Sequence, residues 1–252
     1  MHAVRPLCMI TPMDQPEPLP YIPSVFKWTW QGRAVVFFLS ATSIWCLLAE
    51  MYKLCDMRTF TFAILIPSSV LLVAIAIVNR FKGDRVLWRA VLIGAIGGFI
   101  AAVAYDLFRL PWVLGAIDHV GPTWLRLPLF KVFPRFGALI LGHAYGPQQT
   151  DSQFTLADHL VGWVYHFSNG ITFGVMYMAM IGSATRRSWL WGIALAVGLE
   201  LLLLVSNYTD FFGIKATGLF VAVTLSAHLV FGVALGRYAK KAEQRTPLLA
   251  IA

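Results

Sequence analysis

Six stretches of about 20 residues are apolar enough to cross a hydrocarbon core of about 30 Å, and they restrict this chain to a helical membrane fold. They fall at about 34–52, 60–79, 90–109, 157–181, 188–207 and 216–238. In lipid every backbone polar group needs an internal partner, so each stretch reads as a helix. Pro67 predicts a kink in the second. Composition agrees: 58% of the 252 residues are hydrophobic and 13% are charged. A soluble domain has about half and about a quarter.

The fold class expected is an all-α integral membrane protein of about six transmembrane helices. Residues 1–33 form a proline-rich N-terminal tail and 34–87 two accessory helices. Residues 88–240 form a four-helix core and 241–252 a C-terminal tail. No signal peptide is evident in the tail. Within the core, 110–156 is an insertion that is apolar but broken by Pro111, Pro122, Pro128 and Pro134. Its pieces PWVLGAI and LPLFKVFPRFGALILG read as interfacial or re-entrant helices over the outer face.

Thirteen of the 20 Lys and Arg lie on one side if both termini are inside, which orients the termini to the cytoplasm of a bacterial inner membrane. The net charge of +8 is thereby explained by topology. No basic stripe is interleaved with exposed aromatics, so nucleic acid is not a partner. The bilayer is the partner expected, with other membrane subunits or a second copy as further ones. Cys8, Cys46 and Cys55 form no C-x-x-C pair, which excludes a disulfide framework and a zinc knuckle.

One pattern occurs twice. HFSNGITFG at 166–174 and HLVFGVALG at 228–236 both fit His-x3-Gly-x3-Gly. Each follows a helix in which small residues lead to an acid at steps of four: Gly94, Gly98, Ala102, Asp106, and then Gly192, Ala196, Glu200. Such steps form one ridge along a helix, and small residues let backbones approach closely in lipid. Spans three to six therefore read as a duplicated helical hairpin. At about 1.5 Å per residue, Asp106, His166, Glu200 and His228 all fall between the midplane and the outer interface.

Ionisable groups inside spans are costly and face a bundle interior, a cavity or each other. The site expected is a buried His/carboxylate cluster in a redox context. In one chemistry, His166 and His228 hold a b-type haem axially, with Gly170 and Gly232 leaving room for the macrocycle and the acids receiving the second ring N–H. In a second, His166, His228, Asp106 and Glu200 ligate a divalent metal ion. A third is a proton-coupled or small-solute transporter. The bland alternative is an accessory subunit of a larger membrane complex, with the four groups as helix–helix glue. Asp158 reads as a first-turn helix acid, Asn169 as interhelical glue, and His119 and His143 as solvated or interfacial. The hydrolase motifs G-x-S-x-G and H-E-x-x-H are missing.

GWVYHFSNGITFGVMY paired with SAHLVFGVALGRY resembles a loose group of uncharacterised bacterial inner-membrane proteins with repeated His-x3-Gly-x3-Gly helices. The resemblance covers about 88–240. It implies the membrane class and the repeat, and nothing about chemistry.

Overall fold

The computed structural model describes residues 27–117, 126–144, 146 and 153–248. Most of the N-terminal tail, His119 and GPQQTDS apart from Gly146 lie outside them. Among the described residues every regular element is helical. We label them α1 (Trp30–Met51), α2 (Met57–Lys82), α3 (Val86–Ile117), α4 (Val132–Leu141), α5 (Leu156–Ile181), α6 (Leu190–Val205), α7 (Tyr208–Phe211) and α8 (Gly218–Arg245).

Four of these, α1, α2, α3 and α8, are long and apolar enough to cross a membrane. Helix α6 is apolar but shorter, and α5 is long but carries Asp158, His159, His166, Ser168 and Asn169. The exterior is apolar. Helix α2 exposes Phe62, Ile64, Ile66, Val70, Leu71, Val73 and Ile77, the inverse of a water-facing helix.

Helix α3 is the hub. It packs on α5 and on α8, α6 packs on α8, and α5 also carries α1 and α4. Glycines sit at the crossings. A Cβ on Gly98 would meet the Gly170 carbonyl oxygen at 2.1 Å, and one on Gly192 would meet that of Gly232 at 2.5 Å. Gly174 and Gly236 face Gly94 O and Trp189 O in the same way. Each ridge expected from the sequence thus lies at a backbone-to-backbone contact that a larger residue would force open.

Helix ends follow local rules. Thr155 and Asp158 form a capping box at the start of α5, so Asp158 is the first-turn acid expected. Thr217 caps α8 through the Phe220 N–H at 3.2 Å. Between α2 and α3, Asn79 Oδ1 accepts from Trp88 N and Asn79 Nδ2 donates to Asp84 Oδ1. In α2 a π-helical turn, Thr61–Leu65, stands just before Pro67. A proline has no N–H to give, and a widened turn is one way a helix accommodates that loss.

Three expectations need correction. PWVLGAI is not a separate interfacial helix: α3 runs on through Pro111 to Ile117. Pro111 has no N–H to give the Leu107 carbonyl, and the helix continues past it. The second piece gives α4, which is buried rather than laid over a face: Gly137 abuts Asp158 O and Gly162 abuts Phe133 O. Finally, the last helix runs on past the expected span into the residues read as a C-terminal tail. Helix α8 continues to Arg245 because Glu243 turns inward, 1% exposed, and Leu248 is buried behind it.

Candidate functional site

Asp106, late in α3, uses both carboxylate oxygens. Oδ1 accepts from Arg109 Nη2 at 2.7 Å, one turn along the same helix. Oδ2 lies 2.8 Å from His166 Nε2 on α5. Arg109 is 4% exposed, and its guanidinium stands 4.1 Å over the Tyr105 ring and 5.0 Å from that of Phe130. Cation–π contact of this kind partly replaces lost hydration. The His166 ring stacks on Phe133 at 4.2 Å, with Trp163 edge-on at 5.8 Å.

Helices α6 and α8 carry a looser pair. His228 Nδ1 lies 2.9 Å from the Thr224 carbonyl oxygen, one turn back on α8, and 3.3 Å from Glu200 Oε2 on α6. The carbonyl is the nearer acceptor and fixes the Nδ1–H tautomer. Tyr105 packs against both histidines. Its ring centroid is 4.8 Å from that of His228 and 6.1 Å from that of His166.

His166, Glu200, His228 and Tyr105 all line one cavity of about 350 Å³. Asp106 stands behind this wall and holds two of its members, His166 and Arg109. The cavity also reaches Lys131 and Arg135 at the start of α4, and Lys215 in the loop after α7. Arg135 Nη1 donates to the Phe212 carbonyl, which ties α4 to the end of α7. Two buried polar atoms in the wall, Arg109 Nε and Asn169 Oδ1, have no hydrogen-bond partner among the described residues. Asn169, expected as interhelical glue, thus borders the cavity, while His143 contacts the α5 cap, with Nδ1 2.7 Å from Asp158 Oδ1.

The arrangement departs from both cofactor expectations. A macrocycle held axially needs the two imidazoles to face each other across open space. Tyr105 packs against both rings, and His166 Nε2 is engaged by Asp106. Gly170 and Gly232 provide no clearance either. A Cβ on Gly170 would lie 2.6 Å from that of Ala102, and one on Gly232 would lie 2.5 Å from Ile193 Cα. A bis-histidine haem does not fit these residues. For a metal ion, the four groups form two separate pairs. Among the described residues no group of three or more His, Cys, Asp or Glu is placed to hold one.

The sequence pointed to the four ionisable residues. It gave no sign of Tyr105 as the shared neighbour of the histidines. The Lys131–Arg135 spacing of four, beside aromatics, was the available signal for α4. Comparison of the chain with protein-family models, with characterised proteins and with solved structures gives no match. Function is therefore argued from the geometry of the cavity.

Proposed function

We propose that this chain is a multi-pass membrane protein that binds a small solute inside its helical bundle, as a carrier whose two His–carboxylate pairs handle protons. One observation carries the reading: His166, Glu200 and His228, from three different helices, line one cavity. Glue alone requires only that each pair be buried. It gives no reason for both pairs to border a single open volume that reaches exposed residues such as Lys215. A volume of about 350 Å³ lies within the range of small-molecule sites, about 300–1,000 Å³.

A duplicated hairpin is part of the proposal. Gly98 against Gly170 and Gly192 against Gly232 are equivalent crossings, and Asp106–His166 and Glu200–His228 are equivalent pairs; both support it. Six spans, with α5 and α6 included, and cytoplasmic termini in a bacterial inner membrane complete the reading, supported by the Lys and Arg distribution.

Leu199 borders the cavity from α6. Protein purified from native membranes should retain a small molecule by native mass spectrometry, and Leu199→Trp, which fills the cavity, should lose it. An absorption spectrum and metal analysis of the same sample test the rival. A Soret band abolished by His166→Ala and His228→Ala would replace the carrier with a haem protein. Equal retention by the wild type and Leu199→Trp would remove the cavity from the mechanism.

A further inference from the structure

We infer that the cavity takes an anionic amphiphile, an oxyanion head on a single apolar chain. This rests on the reading of the cavity as a binding site and names its ligand class. Four cationic side chains line the volume, Arg109, Lys131, Arg135 and Lys215, and Glu200 is the one carboxylate among the lining residues. Asp106, a layer behind, is already committed to Arg109 and His166. The wall therefore carries a surplus of positive charge even with both acids ionised.

The cations are graded by depth. Arg109 and Arg135 are 4% and 6% exposed, Lys131 is half-buried and Lys215 is exposed. They mark a route from the surface into the bundle. Buried arginines within a membrane protein are expensive and call for partners. Arg109 satisfies only part of that need: its Nε is buried and has no acceptor among the described residues. An oxyanion in the cavity would supply one, and guanidinium groups recognise phosphate and carboxylate by paired donors.

The rest of the wall selects for a chain. Ile44 and Leu47 of α1, Phe173 of α5, Leu199 and Leu203 of α6 and Phe231 of α8 border the same volume. A free inorganic anion has no use for such a surface, and a neutral amphiphile has none for the cations. The volume is near the lower end of the range for small-molecule sites, which favours one chain over two.

The test uses the full chain in phosphatidylcholine nanodiscs and titration calorimetry, with the heats of empty discs subtracted. The probes are decyl phosphate, decanol and inorganic phosphate. Decyl phosphate is expected to bind saturably, at least ten-fold tighter than either control. The double variant Lys131→Gln/Lys215→Gln, whose sites are not buried, should weaken it at least ten-fold, with an unchanged unfolding temperature as the check on folding. Leu199→Trp should weaken it as well. Decanol binding as tightly as decyl phosphate would overturn the anionic head and leave the cavity as a solute site. Inorganic phosphate binding as tightly would overturn the amphiphile. An unchanged affinity in the lysine variant would remove the cations from recognition. Saturable binding by none of the three would overturn the inference, and retention of another molecule by the purified protein would show that the cavity reading survives it.

Discussion

His166 Nε2 and Asp106 Oδ2 lie 2.8 Å apart across 60 positions of sequence, and the other carboxylate oxygen of Asp106 holds Arg109 at 2.7 Å. The carboxylate is thus the shared element of a three-group network that joins α3 to α5. Asp106→Asn keeps the shape and removes the charge. It leaves the Arg109 guanidinium buried without a counter-ion, which in comparable buried pairs costs about 3–5 kcal/mol. Arg109→Gln alone leaves the carboxylate with His166 but without its arginine. The double variant strands neither, so it should be more stable than Asp106→Asn. Reversible unfolding of the three variants in lipid measures this, and additive losses would show that the two groups do not act as a unit.

The glycine crossings give a prediction with an internal control. In Gly98→Ala the new Cβ points at Gly170 O from 2.1 Å, so the two backbones must separate. Overpacking of this kind costs about 1–3 kcal/mol. Gly198, on the same α6 helix as Gly192, has nothing within 4 Å of the corresponding position. Gly198→Ala should be neutral or slightly stabilising, since alanine favours helix. Gly192→Ala should behave like Gly98→Ala. Thermal unfolding of all three in one detergent is the measurement, and equal effects at positions 98 and 198 would contradict the crossing geometry.

What the sequence revealed and what it hid divide along physical lines. Acids and histidines inside apolar spans must find partners, so Asp106–His166 and Glu200–His228 could be anticipated from burial cost alone. The Gly and Ala ridges were readable for a similar reason: steps of four put them on one face. Height along a helix follows from counting, but rotation does not. Tyr105 was therefore invisible as a ring that touches both histidines, although it is the neighbour of Asp106. Pro111 suggested a break that α3 does not make, because one lost backbone bond is tolerated in a long helix. The docking of α4 depends on Gly137 and Gly162 meeting carbonyls from segments far apart in sequence, and no local pattern encodes that. Glu243 sits among Lys240, Lys241 and Arg245, where an acid reads as part of a solvated tail.

Glu243 is the basis of a third prediction. Its carboxylate accepts from Ser183 Oγ at 2.6 Å and Thr185 Oγ1 at 3.1 Å, and also from the Ala184 N–H. One side chain of α8 thereby satisfies the loop that joins α5 to α6. Glu243→Ala leaves the buried Ser183 hydroxyl and Ala184 N–H without this acceptor, at about 1–3 kcal/mol for each group left unsatisfied. Amides 183–185 should exchange faster with deuterium, while those at the centre of α3 keep their protection. Unchanged exchange at 184 would mean that the loop is held by something other than Glu243.

The last prediction links a packing contact to the cavity. Helix α4 brings Lys131, Phe133 and Arg135 to the site, and it rests on α5 through Gly162, whose position a Cβ cannot occupy without meeting Phe133 O at 1.7 Å. Gly162→Ala must therefore push α4 outward, and the Phe133 ring that stacks on His166 at 4.2 Å moves with it. The residue itself does not line the cavity, so any effect on binding is transmitted through α4. Decyl phosphate affinity should fall by at least ten-fold in Gly162→Ala and stay within two-fold in Gly198→Ala, since a 1.4 kcal/mol perturbation already gives a factor of about ten. Hydrogen exchange across 132–141 should rise in the first variant only. Full affinity together with faster exchange in α4 would separate the helix from recognition and leave the site to the other elements that line the cavity.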